Sequence, residues 1–248
     1  MPCILAIYVA IEAYMLSIRT ALMASLNAIS GPPYYYLDFE HLTSAIPLFD
    51  GVRPFEPIIT QFSLHRMDSD YCGGGDASSS SLQHFEYLSD GSVGSLRELC
   101  LRLLSQLEEH PRSSIIVYSS SEATQMVKLS ERYPDLAARL LAARDRIFDL
   151  ERTIGSCIAH PEFRGRTSLK LVLPALVPQY TGHYESLAIS DGAEAVMAFE
   201  RMLDPSTGAK ERDFLRDALL EYCSLDTMGL VELHRSTHDL ANGERDPS

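Results

Sequence analysis

The chain has 248 residues, 46% of them apolar and 22% charged, the balance of a globular protein with one large domain or two small ones. A net charge of −13 excludes a protein that grips nucleic acid by bulk electrostatics. Five scattered cysteines with no C-x-x-C pair exclude a disulfide framework and a metal finger, and point to reduced thiols in a cytoplasm.

Residues 1–30 are rich in apolar side chains, but Glu12 and Arg19 interrupt them and no apolar run reaches about 18 residues. The expectation is an amphipathic helix packed on the domain or on an upstream region, with no signal peptide and no membrane partner. Gly31-Pro32-Pro33 ends that helix and starts an extended segment, because proline disfavours helix in the residue before it. In the strand that follows, Tyr34, Tyr36, Asp38 and Glu40 share one face, and Tyr35, Leu37 and Phe39 the other. Both faces begin apolar, as in a central strand, and the acids fall toward its C-terminal end. Residues 57–67 and 84–88 read as two further strands, separated by a low-complexity loop over 68–81.

Leu96, Leu99, Cys100, Leu103, Leu104 and Leu107 make the stripe of an amphipathic helix. A buried strand at 114–118 leads into a helix ending near Tyr133. Pro134 opens another helix, and a strand follows at 147–150. Helices are predicted at 168–177, 191–203 and 209–236, the segment 160–170 is locally basic, and the tail after about 238 is polar. Three strands followed by alternating helices and strands predict an α/β fold, a sheet with helices on its faces.

Three features of this pattern bear on chemistry. Asp38 and Glu40 form D-x-E on a strand end, which is also what a solvated strand terminus looks like. Asp226 lies inside the apolar stripe of the last helix, four residues after Tyr222 and four before Leu230. A carboxylate there must be paired, hydrogen-bonded, protonated or bound to metal, so a buried salt bridge to an arginine or a helix-cap contact is the competing explanation. Glu122 stands just past a buried strand, where ligands gather in α/β sheets, yet Ser119–Glu122 also fits the S-x-x-E capping box.

Taken together, Asp38-Phe39-Glu40, the Tyr118–Glu122 segment and Tyr222-Cys223-Ser224-Leu225-Asp226-Thr227 resemble the three motifs of the DEDD (DnaQ-like) 3′–5′ exonuclease superfamily. Tyrosine four residues before the last acid resembles the tyrosine-type subclass. Two departures stand in the second motif: Ser121 replaces an aromatic residue, and its acid is Glu122 where most of the superfamily has aspartate. The blocks YYYLDFE, IPLFDGVRPFEPIITQFSLH, VYSSSEAT, HPEFRGRTSLKLVLPALVP and EYCSLDTM resemble more closely an uncharacterised bacterial domain family, over residues 33–236.

The resemblance implies an RNase H-like mixed β-sheet flanked by helices over 33–240, preceded by a helical arm or linker at 1–32 and followed by a flexible tail at 241–248. In such proteins the domain is often the last part of a longer polypeptide, with an upstream nuclease region as one expectation. It implies two Mg²⁺ or Mn²⁺ ions on Asp38, Glu40, Glu122 and Asp226, with Tyr222 orienting a water, and the 3′ end of DNA or RNA as substrate. Arg164, Arg166 and Lys170 are candidate contacts to the substrate backbone, against the plainer reading of a solvated loop and helix start. The competing functions are a non-catalytic RNase H-like module that binds nucleic acid or protein, and a phosphoesterase acting on small nucleotides.

Overall fold

The tyrosine-rich segment becomes the central strand of a five-stranded sheet. In the computed structural model, which describes residues 16–45, 52–69, 81–92 and 94–244, it runs over Tyr34–Leu42 (β1). It pairs antiparallel with Ile58–Met67 (β2), which pairs antiparallel with Leu82–Leu88 (β3). On its other side β1 pairs parallel with Ile115–Val117 (β4), and β4 pairs parallel with Ile147–Asp149 (β5). The order β3-β2-β1-β4-β5, with helices on both faces, is the RNase H-like mixed arrangement.

The two faces of β1 meet different layers. Tyr35, Leu37 and Phe39 join Phe62, Leu64, Ile115 and Val117 beneath three helices, Ser95–Leu107 (α2), Ser121–Arg132 (α3) and Ala137–Arg144 (α4). Tyr34 and Tyr36 face the opposite layer. It is built from the helix at 16–26 (α1), Leu150–Cys157 (α5), Leu169–Leu176 (α6), His183–Ser186 (α7), Gly192–Leu203 (α8) and Ala209–Asn242 (α9). Helix α1 lies against this core through buried Leu22 and Leu26, and Ser25 shares a 2.8 Å hydrogen bond with Thr153 of α5.

Helix α9, 34 residues and about 50 Å long at 1.5 Å per residue, crosses the sheet and is pinned to it at three levels. Gln61 Nε2 donates to the Leu219 carbonyl at 3.1 Å. The Thr227 hydroxyl bonds to Ser63 Oγ at 2.7 Å and His65 Nδ1 at 2.8 Å. Tyr36 Oη shares a 3.0 Å bond with His234 Nδ1. Spacings of eight and seven residues keep these three contacts on one helix face. That face also carries Cys223 and Asp226, so the rotation of α9 delivers an acid to the β1 surface.

Several elements differ from the sequence expectations. Helix α9 runs six residues beyond 236, because Leu240 and Ala241 remain buried and Gly243 (φ 76°) supplies the left-handed turn that closes it. Strand β3 starts at Leu82 rather than 84. Helix α5 was not anticipated: Asp149 ends a three-residue strand and at once caps the helix, accepting the Arg152 N–H at 3.1 Å, so no loop separates the two patterns. The short α7 was also missed. Most of the predicted 68–81 loop, residues 70–80, lies outside the described residues, as do 1–15 and 245–248.

Candidate metal centre

Four predicted carboxylates come from three elements that the topology brings to one end of the sheet. Asp38 and Glu40 share the β1 face toward α9, Glu122 opens α3 after β4, and Asp226 projects from α9. Asp38, Glu122 and Asp226 line one cleft of about 360 Å³, with Glu151, Lys170, Tyr118 and Ser119 in its wall. Glu40 does not line it; the acid stands further along β1, where a register shift falls between Glu40 and His41. Glu122 and Asp226 are buried, at 4% and 7% exposure, while Asp38 and Glu40 stay half-buried.

The acids repel one another in a poorly solvated space. Burial, then the Glu122 charge, pushes the Asp38 carboxyl up to about 7. Burial, then Asp38 and Asp226, raises Glu40 to about 9, against the pull of Lys170. Burial raises Glu122 to about 7, with Asp149 and Glu151 adding to it and the backbone N–H and Ser119 hydroxyl opposing. Burial, then Asp38, raises Asp226 to about 7, although Tyr184 and Lys170 favour its charged form. Among the described residues no arginine lines the cleft, so the buried arginine pair that competes as an explanation for Asp226 is not formed by them.

The capping box proposed for Glu122 forms only in part: Ser119 Oγ accepts the Ser121 N–H at 3.0 Å, while Glu122 accepts the Ser119 hydroxyl at 3.2 Å. Its place in the first turn still sets its charge favourably against the helix dipole.

Lys170, expected as a contact to a substrate backbone, stands inside the cleft wall. Its ammonium lies 5.0 Å from the Tyr184 ring and 4.8 Å from the Tyr222 ring, and donates to the Ser190 carbonyl at 2.5 Å. Arg164 and Arg166 are exposed on the loop before this wall and do not line the cleft. The Arg164 backbone is left-handed (φ 50°), and its guanidinium lies 3.6 Å from Glu162.

Three contributors escaped the sequence. Tyr184 donates its hydroxyl to Asp226 Oδ1 at 2.5 Å. Cys223 donates its thiol to Asp38 Oδ2 at 3.4 Å and is fully buried, and burial followed by Asp38 and Glu40 drives its ionisation well above the ordinary thiol range. Glu151 is a fourth acid in the cleft wall, accepting the Thr167 hydroxyl at 2.7 Å. Only Cys223 had a readable signal, its i, i+3 spacing to Asp226 on the inward helix face. Tyr222, predicted one turn from Asp226, is 4% exposed, with its hydroxyl free of hydrogen bonds among the described residues; burial, then Asp226 and Glu40, raises its ionisation.

Comparison with known proteins adds family but not activity. Residues 35–168 match the model of a family described as a domain of unknown function, DUF2779. That match includes Asp38, Glu40, Glu122 and Glu151 and stops before Lys170, Tyr184 and α9. An uncharacterized protein, the MG366 homolog of Mycoplasma pneumoniae (strain ATCC 29342 / M129 / Subtype 1), is 25% identical over 226 residues, 84% of this chain. The chain spans about a third of that relative's length, 32%. Among the described residues, no helix is long and apolar enough to cross a membrane.

Proposed function

For this chain, which belongs to the DUF2779 family, we propose a metal-dependent 3′–5′ exonuclease that hydrolyses a terminal phosphodiester of DNA or RNA. One observation carries the reading: acids distant in sequence converge at one sheet end, raise each other's pKa, and, among the described residues, have no arginine in their cleft. Such a charge density is tolerated as protons or as bound cations, and oxygen-rich, half-open donor sets suit Mg²⁺ or Mn²⁺.

Asp38, Glu40, Glu122 and Asp226 would hold two ions. When bound, these would supply positive charge at both the attacked and the departing oxygens of the phosphodiester. The chain's own groups do the rest. Tyr184 fixes the Asp226 carboxylate through its hydroxyl, and Ser119 fixes Glu122. Tyr222 places an unpaired hydroxyl beside Asp226, where it would orient the attacking water. Lys170, steadied between two aromatic rings, meets a phosphate oxygen inside the cleft, and Arg164 and Arg166 guide the strand from the approach loop. The free thiols Cys100, Cys157 and Cys223 suit a reducing cytoplasm.

The deciding assay uses labelled single-stranded DNA and RNA with Mg²⁺, Mn²⁺ or EDTA. The expected result is shortening from the 3′ end that needs metal and vanishes in Asp38→Ala and Asp226→Ala. Lys170 favours a second reading, a non-catalytic binding module, because it already offsets part of the acid charge. Retention of oligonucleotide without degradation under either metal would select that reading. Cleavage confined to mononucleotides would select a small-molecule phosphoesterase.

A further inference from the structure

We infer that Cys223 is a third protein ligand beside Asp38 and Glu40, making this part of the site a mixed oxygen–sulfur centre for a borderline-soft divalent cation such as Zn²⁺ or Co²⁺. The inference rests on the reading that these acids hold cations, and it narrows which cation they hold. One carboxylate oxygen from Asp38, one from Glu40 and the Cys223 sulfur lie within 4.8 Å of one another. Among the described residues, no other such group of three histidine, cysteine or acidic side chains is found.

A buried cysteine is ordinarily a small apolar filler. The surroundings of Cys223 are different: its thiol points at Asp38, and the charged groups facing it are Asp38, Glu40 and Asp226. Helix α9 places it one turn before Asp226, on the face that the Thr227 contacts to Ser63 and His65 hold against the sheet. The Tyr222 side chain, one residue before Cys223, is 4% exposed and stands near Asp226, Glu40 and Asp38. Its hydroxyl has no protein hydrogen-bond partner among the described residues, which leaves it free to bond a metal-bound water.

The donor chemistry sets the preference. Carboxylates alone favour Mg²⁺ or Mn²⁺, whereas a thiolate shifts selection toward Zn²⁺ and its spectroscopic substitute Co²⁺. Binding exchanges the Cys223 S–H bond for a sulfur–metal bond and releases the proton to solvent, with no redox change.

The test is Co²⁺ titration of the full chain after stripping with EDTA, read by the thiolate-to-cobalt charge-transfer band in the near ultraviolet. The expected band saturates at one ion per chain, disappears in Cys223→Ser, weakens in Glu40→Gln and persists in Cys157→Ser. Circular dichroism confirms that each variant is folded. Cadmium NMR of the unmodified protein, which needs no variant, should show a resonance shifted by one sulfur ligand. A band that survives Cys223→Ser, or a cadmium resonance typical of oxygen ligands alone, overturns the inference. If Mn²⁺ still binds by electron paramagnetic resonance and Asp38→Asn removes it, the nuclease reading survives that loss. If no divalent ion binds at all, both fall.

Discussion

Stripping the protein of metal and raising the pH should destabilise it, the reverse of what paired carboxylates do. Asp38, Glu122 and Asp226 are raised to about 7 and Glu40 to about 9, well above their ordinary values of 3.8 and 4.5. Between about pH 5 and 7 the folded chain therefore keeps protons that the unfolded chain has lost. Stability then falls with pH, at about 1.4 kcal/mol per pH unit for each proton retained. The groups are coupled, so they share protons rather than each keeping one; one net proton is a conservative count. From pH 5 to 7 that is about 2.7 kcal/mol, or roughly 5–11 °C in Tm for a chain of this size. The assay is thermal unfolding in EDTA across pH 5 to 9, repeated with excess Mn²⁺ and with Asp226→Asn. Mn²⁺ should flatten the fall, because the ion replaces the protons. Asp226→Asn, which can still accept the Tyr184 hydroxyl, should melt above the unmodified chain at pH 8 in EDTA. A Tm that is flat or rising over this range in EDTA, with the fold intact, would refute the argument.

Other substitutions test individual contacts. Tyr184→Phe removes the hydroxyl bonded to Asp226 and should weaken Mn²⁺ binding by about 10–100-fold, measured by calorimetry. Lys170→Met removes the cation that favours the charged forms of Glu40 and Asp226, so their titration should move further up, as seen by carbon NMR of the carboxyl groups. Gly229→Ala would bring a methyl to 2.6 Å from Cδ2 of fully buried Leu173, and should cost about 1–3 kcal/mol in urea unfolding.

Strands β1, β2 and β3 were legible because they run over seven to ten residues, and Tyr34–Glu40 alone identified the central strand and the face bearing the acids. Asp226 was legible because a charge inside an apolar helical stripe breaks a pattern. Tyr184 was not, because a four-residue helix between two longer ones has no periodicity to read, and its bond to Asp226 spans 42 residues. Lys170 was noticed for its charge, but sequence could not tell that two tyrosines from α7 and α9 would hold it within the wall. Cys223 had only its helical spacing to Asp226 as a signal until strand β1 was laid beside it. In each case the local signal was short and the partner was supplied by tertiary packing.

The most direct measurement is the anomalous difference map of crystals soaked with Mn²⁺ and a short single-stranded oligonucleotide. The account predicts manganese peaks bonded to carboxylate oxygens of Asp38 and Asp226, with the 3′-terminal phosphate in the cleft beside Lys170. Peaks confined to other parts of the surface, or an ordered oligonucleotide bound away from Asp38 with no metal beside it, would contradict it.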